Sequence, residues 1–318
     1  MKILKPILVA ILLGLTCIPA LAQADAIREV EWTLNLDSVV LHGTLATPQN
    51  QNQKTAIMFI SGSGPTDRDG NNPFMKNNSI KGLSDSLVIQ GYTTLRFDKR
   101  GIAESAVQSL DESTLTLDDY VTDASHWLDR LKDSFPEYTI VVAGHSEGSL
   151  IGILLAQTNE VDGFISLAGT GRTFDVIIHE QLEKQMPALV PESDSIMELI
   201  RKGETVDEMN PMLLSLYRPS VQPYMRSLLK YDPATEIGKL TVPILIVQGE
   251  NDIQITPEDA KALLAASNQS TLKLIPHMNH ILKNIEGGPL ENQASYGNPD
   301  LPISPELLKA IKSFLINL

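Results

Sequence analysis

Six short, strongly apolar runs separated by longer helical patterns constrain the fold of this chain more than any other feature of its sequence. The runs are residues 56–60, 93–97, 139–143, 163–167, 244–247 and 272–275. Runs of this kind are typical of strands that are buried on both faces of a parallel sheet. Residues 28–36 and 39–46 instead alternate apolar and polar side chains, which predicts an antiparallel hairpin. Together these patterns predict an α/β fold with a mostly parallel, doubly wound sheet.

The helical patterns carry their own start signals. Leu117, Ala124 and Leu131 fall on one face of a predicted helix, and Thr116 with Asp119 three residues later forms a capping-box pattern.

One long stretch breaks the alternation of strand and helix. The residues between 167 and 244 carry helical patterns without a strand, and they include Met186, Met197, Met209, Met212 and Met225 of the nine methionines. Ligands of open α/β sheets bind at the carboxyl ends of the strands. We therefore expect residues 172–239 to form a helical cap there, over a core formed by residues 23–171 and 240–318. Helices that serve only for packing are the alternative.

The first residues have the pattern of an export signal. Lys2 and Lys5 precede an apolar run from residue 7 to residue 18, and Ala20-Leu21-Ala22 supplies small residues for cleavage. We expect residues 1–22 to be a signal peptide and the mature protein to be periplasmic or secreted, without stable membrane insertion. An uncleaved anchor is the alternative, although the run is short for a span of about 20 residues.

Cysteine content and charge exclude several classes of function. Cys17 is the only cysteine and lies in the predicted leader, so we expect no disulfide, thiol nucleophile or cysteine metal site in the mature chain. The formal net charge is -14 and no Lys/Arg run is present. Nucleic-acid binding, which needs a basic surface, is therefore disfavoured.

The sequence Gly144-His145-Ser146-Glu147-Gly148 predicts a nucleophilic serine. It follows a predicted strand and precedes a helical pattern, and small residues two before and two after the serine permit a sharp strand-to-helix turn. Such a turn exposes the hydroxyl of Ser146. It also places the next backbone N–H, that of Glu147, at a helix N-terminus where it can stabilise an oxyanion.

A serine nucleophile needs a base and an acid that orients the base. His277 and His280 follow the last predicted strand, and the chain order Ser, Asp, His favours a base at this place. We predict His280 as the base, with His277 as the alternative. Asp252 follows the strand at 244–247 and is the predicted acid. Glu250 is an alternative, and a helix-capping Asp252 is another.

The loop after the strand at 56–60 is the usual source of a second oxyanion donor. Its glycines, Gly62 and Gly64, allow the backbone to approach a substrate. We predict the N–H of Ser63 as the donor, with that of Gly64 as the alternative. The loop lacks the Lys-Ser/Thr ending of a phosphate-binding P-loop.

Two charged clusters lie in loops at the carboxyl edge of the predicted sheet, residues 67–70 and 98–101. We expect ion pairs that hold these loops, with substrate contact as the alternative. No His-rich spacing supports a metal site.

With these motifs in place, the chain resembles the bacterial secreted carboxylesterase and serine-aminopeptidase-like branch of the α/β-hydrolase superfamily. The resemblance lies in residues 61–70, 97–101, 144–148, 248–252 and 278–280. It implies Ser146, Asp252 and His280 as a triad, with the N–H groups of Ser63 and Glu147 as the oxyanion hole. One departure is His277, where a Pro-Gly-Met-Asn-His pattern would have glycine.

These observations predict a serine hydrolase that cleaves small carboxylic (acyl) esters through an acyl-enzyme, with no cofactor. An aminopeptidase-type enzyme is the main alternative, and Glu180, Glu183 or Glu208 would then have to bind a free amine. A non-catalytic binding protein on a hydrolase fold is the second alternative. Methionine adapts to irregular apolar shapes, so Met212, Leu213, Leu214 and Leu216 predict an acyl pocket under the cap.

Overall fold

The computed structural model describes residues 26–37, 39–50, 53–107 and 110–318. The predicted signal peptide, residues 1–22, lies outside this described part of the chain. The eight strands that it contains are β1 (Ile27–Leu36), β2 (Val39–Pro48), β3 (Thr55–Ile60), β4 (Thr93–Phe97), β5 (Thr139–His145), β6 (Gly163–Leu167), β7 (Ile244–Gly249) and β8 (Ser270–Ile275). All eight predicted strands are confirmed, with ends that differ by two residues at most.

The strands form one sheet in the order β1-β2-β4-β3-β5-β6-β7-β8. β1 pairs with β2 and β2 with β4 in antiparallel fashion, and every later pair is parallel. The carboxyl ends of β3, β5, β6, β7 and β8 therefore meet along one edge. This arrangement confirms the predicted α/β-hydrolase fold and brings the loops after β3, β5, β7 and β8 to the same place.

The α-helices of the described chain are Ser79–Ile89, Leu117–Ser134, Glu147–Thr158, Phe174–Gln185, Val190–Lys202, Leu214–Tyr217, Gln222–Leu228, Pro233–Ile237, Pro257–Ala266, Pro289–Ser295 and Pro305–Ile316. Short 3-10 turns occupy Ala103–Ser105, Glu112–Thr114, Pro187–Leu189, Pro211–Leu213 and Pro219–Val221. The capping box of Thr116 and Asp119 is confirmed at the start of the second helix.

Two apolar clusters cover the two faces of the sheet. β3 contributes Met58 to one cluster and Phe59 to the other, because successive strand residues point to opposite faces. Helices Leu117–Ser134 and Glu147–Thr158 complete the first cluster. Helices Ser79–Ile89 and Pro305–Ile316 complete the second. Both faces are thus covered, as the apolar runs in the sequence require.

The stretch between β6 and β7 contains only helices and turns. Its helices share a third apolar cluster, which includes Leu182, Ile196, Met197, Tyr217 and Met225. This stretch is where the cap is expected; its boundaries at residues 172 and 239 stay a prediction. No helix among the described residues is long and apolar enough to cross a membrane.

Candidate active site

Ser146 lies on a sharp turn between β5 and the helix Glu147–Thr158. Its φ of 54° and ψ of -123° place a non-glycine residue in a strained region of backbone space. The turn brings β5 and the helix into close contact. A Cβ at Gly144 would lie 2.1 Å from the carbonyl oxygen of Gly148, and one at Gly148 would lie 2.3 Å from that of Ile60. The two glycines of the motif are therefore required by packing, and they hold Ser146 at the edge of the sheet.

His280 and Asp252 form a buried pair in the loops after β8 and β7. His280 Nδ1 lies 2.8 Å from Asp252 Oδ2, so Nδ1–H donates to the carboxylate and Nε2 is left as the basic nitrogen. The other oxygen of Asp252 accepts from the N–H groups of Gln254 and Ile255. Burial acts to raise the pKa of Asp252. The electrostatic interaction and hydrogen bond with His280, together with these backbone hydrogen bonds, outweigh that effect and hold the pKa of Asp252 below its usual value.

Gln248 is a member of this site that sequence reasoning missed. Its Nε2 donates to Asp252 Oδ2 at 3.0 Å from inside β7, and Gln248 is fully buried. A polar residue at the end of an otherwise apolar run was the available signal, because buried polar side chains need partners.

The alternatives for base and acid lie elsewhere. His277 is exposed and has a φ of 61°, a left-handed conformation that favours glycine. This conformation explains why glycine would be expected at that position. Glu250 is also exposed. The helix Pro257–Ala266 is capped at Thr256, so the interpretation of Asp252 as its cap is wrong.

His145 supports His280 from the neighbouring position in the turn. Its Nε2 lies 2.8 Å from the backbone oxygen of His280, and the two rings are tilted with centroids 4.8 Å apart. Burial, with a smaller electrostatic effect of the nearby His280 ring, lowers the pKa of His145 to about 3. His145 is therefore neutral and can donate to that carbonyl. Among the described hydrogen bonds none joins Ser146 Oγ to His280, and such contacts are often long before substrate binds.

The loop after β3 lies beside the turn. Ser63 is exposed, and its N–H has no partner among the hydrogen bonds of the described chain. Glu147 opens its helix, where the first N–H groups have no intrahelical acceptor. Both predicted oxyanion donors are thus available at one site. Ser63 lines the cavities around Ser146, whereas Gly64 is not among the residues that line them.

Lys99 contacts both segments that carry these donors, through the carbonyl of Gly62 and the side chain of Glu147. Its ammonium is 2.5 Å from the carbonyl oxygen of Gly62 and 3.5 Å from Glu147 Oε1. The Lys99 side chain is only 2% exposed. Burial lowers the pKa of Lys99, and the Glu147 carboxylate opposes that shift. Nothing in the local sequence distinguishes Lys99 from its neighbours, because this contact depends on the packing of β3, β4 and β5.

Four other charged members of the clusters form the expected ion pairs, whereas Asp67 accepts from two backbone N–H groups instead. Arg68 Nε donates to Asp98, Arg96 donates to Asp69, and Arg100 pairs with Asp123 on the helix Leu117–Ser134. Those members hold the loops together, and the structural interpretation of the clusters is confirmed for them.

Two cavities meet at Ser146. The first, which we name the apolar cavity, has a volume of about 110 Å³. Its apolar walls are Leu150, Phe174, Ile177, Ile178, Leu228 and Ile255. The second, the polar cavity, has a volume of about 190 Å³. Its polar side chains include Thr66, Asn72, Asn77, Ser79, Gln254 and Tyr296, and His280 also lines it. Ser63, Ser146 and Gln254 border both cavities.

The apolar cavity corrects one expectation about the cap. The cap does contribute to its wall, but through Phe174, Ile177, Ile178 and Leu228. The side chains singled out in the sequence, Met212, Leu213, Leu214 and Leu216, do not line it. Met212 and Leu214 are exposed and Leu213 is buried in the apolar cluster of the cap itself. Which face of a cap helix meets the sheet is decided by tertiary packing, so composition could not identify the wall.

Arg172 ties the cap to the core beside the apolar cavity. It contacts Asp259 Oδ2 at 2.8 Å and Glu180 Oε1 at 2.5 Å. Glu180, one of the acids considered for a free amine, is therefore neutralised by a cation. Glu183 and Glu208 are exposed and line neither cavity.

One group of possible metal ligands lies outside the site. Within the described residues, Glu31, His42 and Glu104 come close enough to share an ion. Glu104 pairs with Arg68 and His42 bonds to Glu31, and none of the three lines either cavity. The existing ion pairs account for this group.

Comparison with known proteins gives a family and several relatives. The family Hydrolase_4, described as "Serine aminopeptidase, S33", matches residues 77–284. Esterase EstD from Thermotoga maritima is 26% identical over 279 residues, which cover 85% of this chain and 64% of EstD. The chain thus spans 64% of the length of this curated relative.

Solved structures with the same fold are also found. Est1E from Butyrivibrio proteoclasticus with bound ferulic acid has a TM-score of 0.61 at 19% identity, and covers 90% of this chain and 100% of its own. The proline iminopeptidase of Mycobacterium smegmatis has a TM-score of 0.60 at 12% identity, over 91% of this chain and 98% of its own. At these identities the likeness concerns the fold alone.

Proposed function

This chain belongs to the serine aminopeptidase S33 family of α/β hydrolases, and from that premise we propose that it hydrolyses carboxylic esters with Ser146 as the nucleophile. One observation carries the proposal. Ser146 stands on a strained turn between two cavities, and His280, which is buried against Asp252, borders one of them. The similarity to EstD, a protein named as an esterase, supports the same activity.

The proposed reaction is acyl transfer to water. His280 Nε2 takes the proton of Ser146 as the hydroxyl oxygen attacks the ester carbonyl, and Asp252 stabilises the imidazolium that forms. The N–H groups of Ser63 and Glu147 bind the oxyanion. His280 then protonates the leaving alcohol, and an acyl-enzyme remains. Water, deprotonated by His280, attacks this ester, and the acid leaves as Ser146 regains its proton.

An aminopeptidase is the second candidate, and the description of the family favours it. Recognition of a free α-ammonium group requires a carboxylate that is not already paired. Among the described residues, the only acid that lines either cavity is Glu147, which is paired with Lys99. Amide hydrolysis also requires protonation of a poor leaving group, so the amine must be placed accurately. The side chains around Ser146 therefore favour esters.

The test is a substrate panel combined with covalent labelling. We expect the protein to hydrolyse nitrophenyl esters of short acids and to turn over aminoacyl nitroanilides much more slowly. A fluorophosphonate probe should label Ser146, as located by peptide mapping, with Ser146→Ala as the control. Equal turnover of an aminoacyl anilide and the best ester would replace the ester proposal by the peptidase. Absence of both turnover and labelling in folded protein would favour a binding protein.

We also propose that the protein is exported. The proposal rests on the charged start, the apolar run and the small residues that end at Ala22. N-terminal sequencing of native material should find Gln23 in a periplasmic or extracellular fraction. A retained Met1 in the membrane fraction would indicate an anchor instead.

A further inference from the structure

The position of His280 decides which cavity receives which half of an ester. The proton that His280 takes from Ser146 must be delivered to the leaving oxygen, so the alcohol has to lie on the side of His280. His280 lines the polar cavity and not the apolar one. The acyl chain must then occupy the apolar cavity, where Leu150 and Ile178 form part of the wall.

We propose that the polar cavity is a leaving-group site for an uncharged alcohol that carries further hydroxyl groups, as in a polyol or a sugar. The inference rests on the proposed ester hydrolysis and names its substrate class. A hydroxylated alcohol needs hydrogen-bonding partners in place of water, and this cavity offers several. A simple alkyl alcohol would leave them unpaired, which costs binding free energy.

Three side chains of the polar cavity have hydrogen-bonding capacity to spare. Asn77 and Ser79 are 4% and 1% exposed. The oxygen of the Asn77 side chain accepts from the Ser79 N–H, but its amide nitrogen has no partner among the hydrogen bonds of the described residues, and neither has the Ser79 hydroxyl. The Tyr296 hydroxyl accepts from Gln254 Nε2 at 3.3 Å and keeps its own proton for a ligand.

The charge of the polar cavity narrows the class further. The residues that line it in the described part of the chain include no Asp, Glu, Lys or Arg. A cationic or anionic alcohol would lose water without gaining an opposite charge, which is unfavourable. Uncharged hydroxyl groups match the amide and hydroxyl side chains that are present.

The first test holds the acyl group constant and varies the alcohol. Ethyl butyrate, glycerol monobutyrate, 6-O-butyryl glucose and butyrylcholine are compared by titration of the released acid. We expect kcat/KM for at least one hydroxylated ester to exceed that for ethyl butyrate by roughly tenfold, the size of one or two neutral hydrogen bonds. The glycerol and glucose arms distinguish a polyol from a sugar. Butyrylcholine should be no better than ethyl butyrate.

A matched pair of hydroxyl deletions locates the effect. Tyr296→Phe removes a hydroxyl from the polar cavity, and Tyr231→Phe removes one from a residue of the apolar cavity. We expect Tyr296→Phe to lower the preference for the hydroxylated ester by roughly threefold to tenfold. Tyr231→Phe should leave this ratio between alcohols unchanged, whatever its effect on the overall rate.

The outcomes separate this inference from the proposed function. If no ester is hydrolysed, the proposed function fails. If esters are hydrolysed but ethyl butyrate or butyrylcholine matches the hydroxylated esters, only the leaving-group inference fails. An equal loss of preference in both tyrosine variants would also overturn it, because the preference would then not arise in the polar cavity.

A second observation, the buried contact of Lys99, carries an independent inference. The carbonyl of Gly62 and the N–H of Ser63 belong to the same peptide unit. A cation on that carbonyl fixes the orientation of the unit and polarises its N–H toward an oxyanion. We infer that Lys99 is a positioning residue for the oxyanion hole, and that its contact with Glu147 holds the second donor at the same place.

The test removes the charges of Lys99 and Glu147 together, because Lys99→Met alone would leave Glu147 buried without a partner. In Lys99→Met/Glu147→Gln we expect kcat for a nitrophenyl ester to fall roughly tenfold or more with little change in KM. Loss of a whole oxyanion donor costs about 10²–10³ in kcat, which sets the upper bound. A trifluoromethyl ketone, which forms an oxyanion on Ser146, should bind correspondingly more weakly.

Two further variants are compared with Lys99→Met/Glu147→Gln. Glu147→Gln alone retains Lys99 on Gly62 and should lose less kcat than the double variant. Lys99→Gln/Glu147→Gln keeps a donor without the charge and should fall between the two. A double variant with unchanged kcat, or one whose loss equals that of Glu147→Gln, would show that Lys99 has no positioning role. Thermal unfolding midpoints confirm that each variant is folded.

Discussion

The sheet core and the cap differ in the side chains that they bring to the site: those of the core are mainly polar, and those of the cap are mainly apolar. In the core, the acid of the site is held at a strand end by several contacts, because Asp252 is bound by His280, Gln248 and two backbone N–H groups. The cap has an apolar cluster of its own and meets the site mainly through apolar side chains of the helix Phe174–Gln185 and through Leu228. The core therefore orients the reacting groups, whereas the cap forms part of the wall of the apolar cavity.

Arg172 marks the boundary between the two regions. Its guanidinium binds Asp259 of the core and Glu180 of the cap, so that one side chain links the helix Phe174–Gln185 to the core. Because the core holds the reacting groups and the cap lines the apolar cavity, changes in the core should alter the rate for every ester, whereas changes in the cap wall should alter only the ranking of esters.

The largest effect is expected at the nucleophile itself. Ser146→Ala should lower kcat for nitrophenyl butyrate by roughly 10⁴-fold or more, because the residues of a triad act as a unit. The measurement is steady-state kinetics on protein whose fold is checked by circular dichroism. Residual turnover within tenfold of the wild type would remove Ser146 from the mechanism.

A slightly smaller contrast separates two histidines three residues apart. His280→Ala should lower kcat by several orders of magnitude, since the buried partner of Asp252 is lost. His277→Ala should have a modest effect, because His277 is exposed and matters for its backbone conformation. Kinetics of both variants with one ester decide the matter. The reverse ranking would transfer the role of base to His277.

The cap wall should affect selectivity instead. For the wild type we expect kcat/KM to rise from acetyl to about butyryl or hexanoyl esters and then to fall. Ile178→Phe narrows the apolar cavity and should shift the optimum by about two methylenes, a change of roughly tenfold at ~0.8 kcal/mol each.

Met212→Ala is the control for the cap wall, because Met212 belongs to the cap but is 60% exposed. Its chain-length profile should match that of the wild type. An equal loss for all esters in Ile178→Phe would contradict the division between core and cap.

The smallest expected effect is a change in how stability depends on pH. It should differ between His145 in the core and His179 in the cap. Burial lowers the pKa of His145 to about 3, against about 6.5 for a free histidine. Between these values the unfolded chain binds a proton that the folded chain does not. The contribution of His145 to stability is therefore complete above pH 6.5 and declines as the pH falls.

The contribution of His179, in the cap, to stability depends on pH in the opposite direction. Its hydrogen bond to Asp194 raises the pKa above the usual value, so its contribution is complete below pH 6.5 and is lost as the pH rises through the raised value. Urea unfolding at pH 7.5 and 4.5 should show a smaller acid-induced loss in His145→Gln than in the wild type. His179→Gln should show no such reduction, and an equal response of the two variants would contradict this assignment.

Much of the fold could be predicted because its signals are local. Apolar runs of strand length revealed β3 to β8, and alternation revealed the β1–β2 hairpin. Thr116 and Asp119 marked the start of a helix through bonds that span only three residues. The sharp turn at Ser146 was predictable for a similar reason, since Gly144 lies against the backbone of Gly148, only four residues away in sequence. The space at Gly148, in contrast, is required by the carbonyl oxygen of Ile60 in the neighbouring strand.

By itself, the sequence determined the order of strands and helices, the place of Ser146 and the loops from which Asp252 and His280 come. Only the tertiary structure decided that Phe174 and Ile178, and not Met212, line the apolar cavity. It also decided that Lys99 contacts Gly62 and that Gln248 contacts Asp252. The physical reason is that periodicity tells which residues are buried, but not against which partner. That choice is made when distant segments pack together, where a rotation of one helix face exchanges an entire set of neighbours.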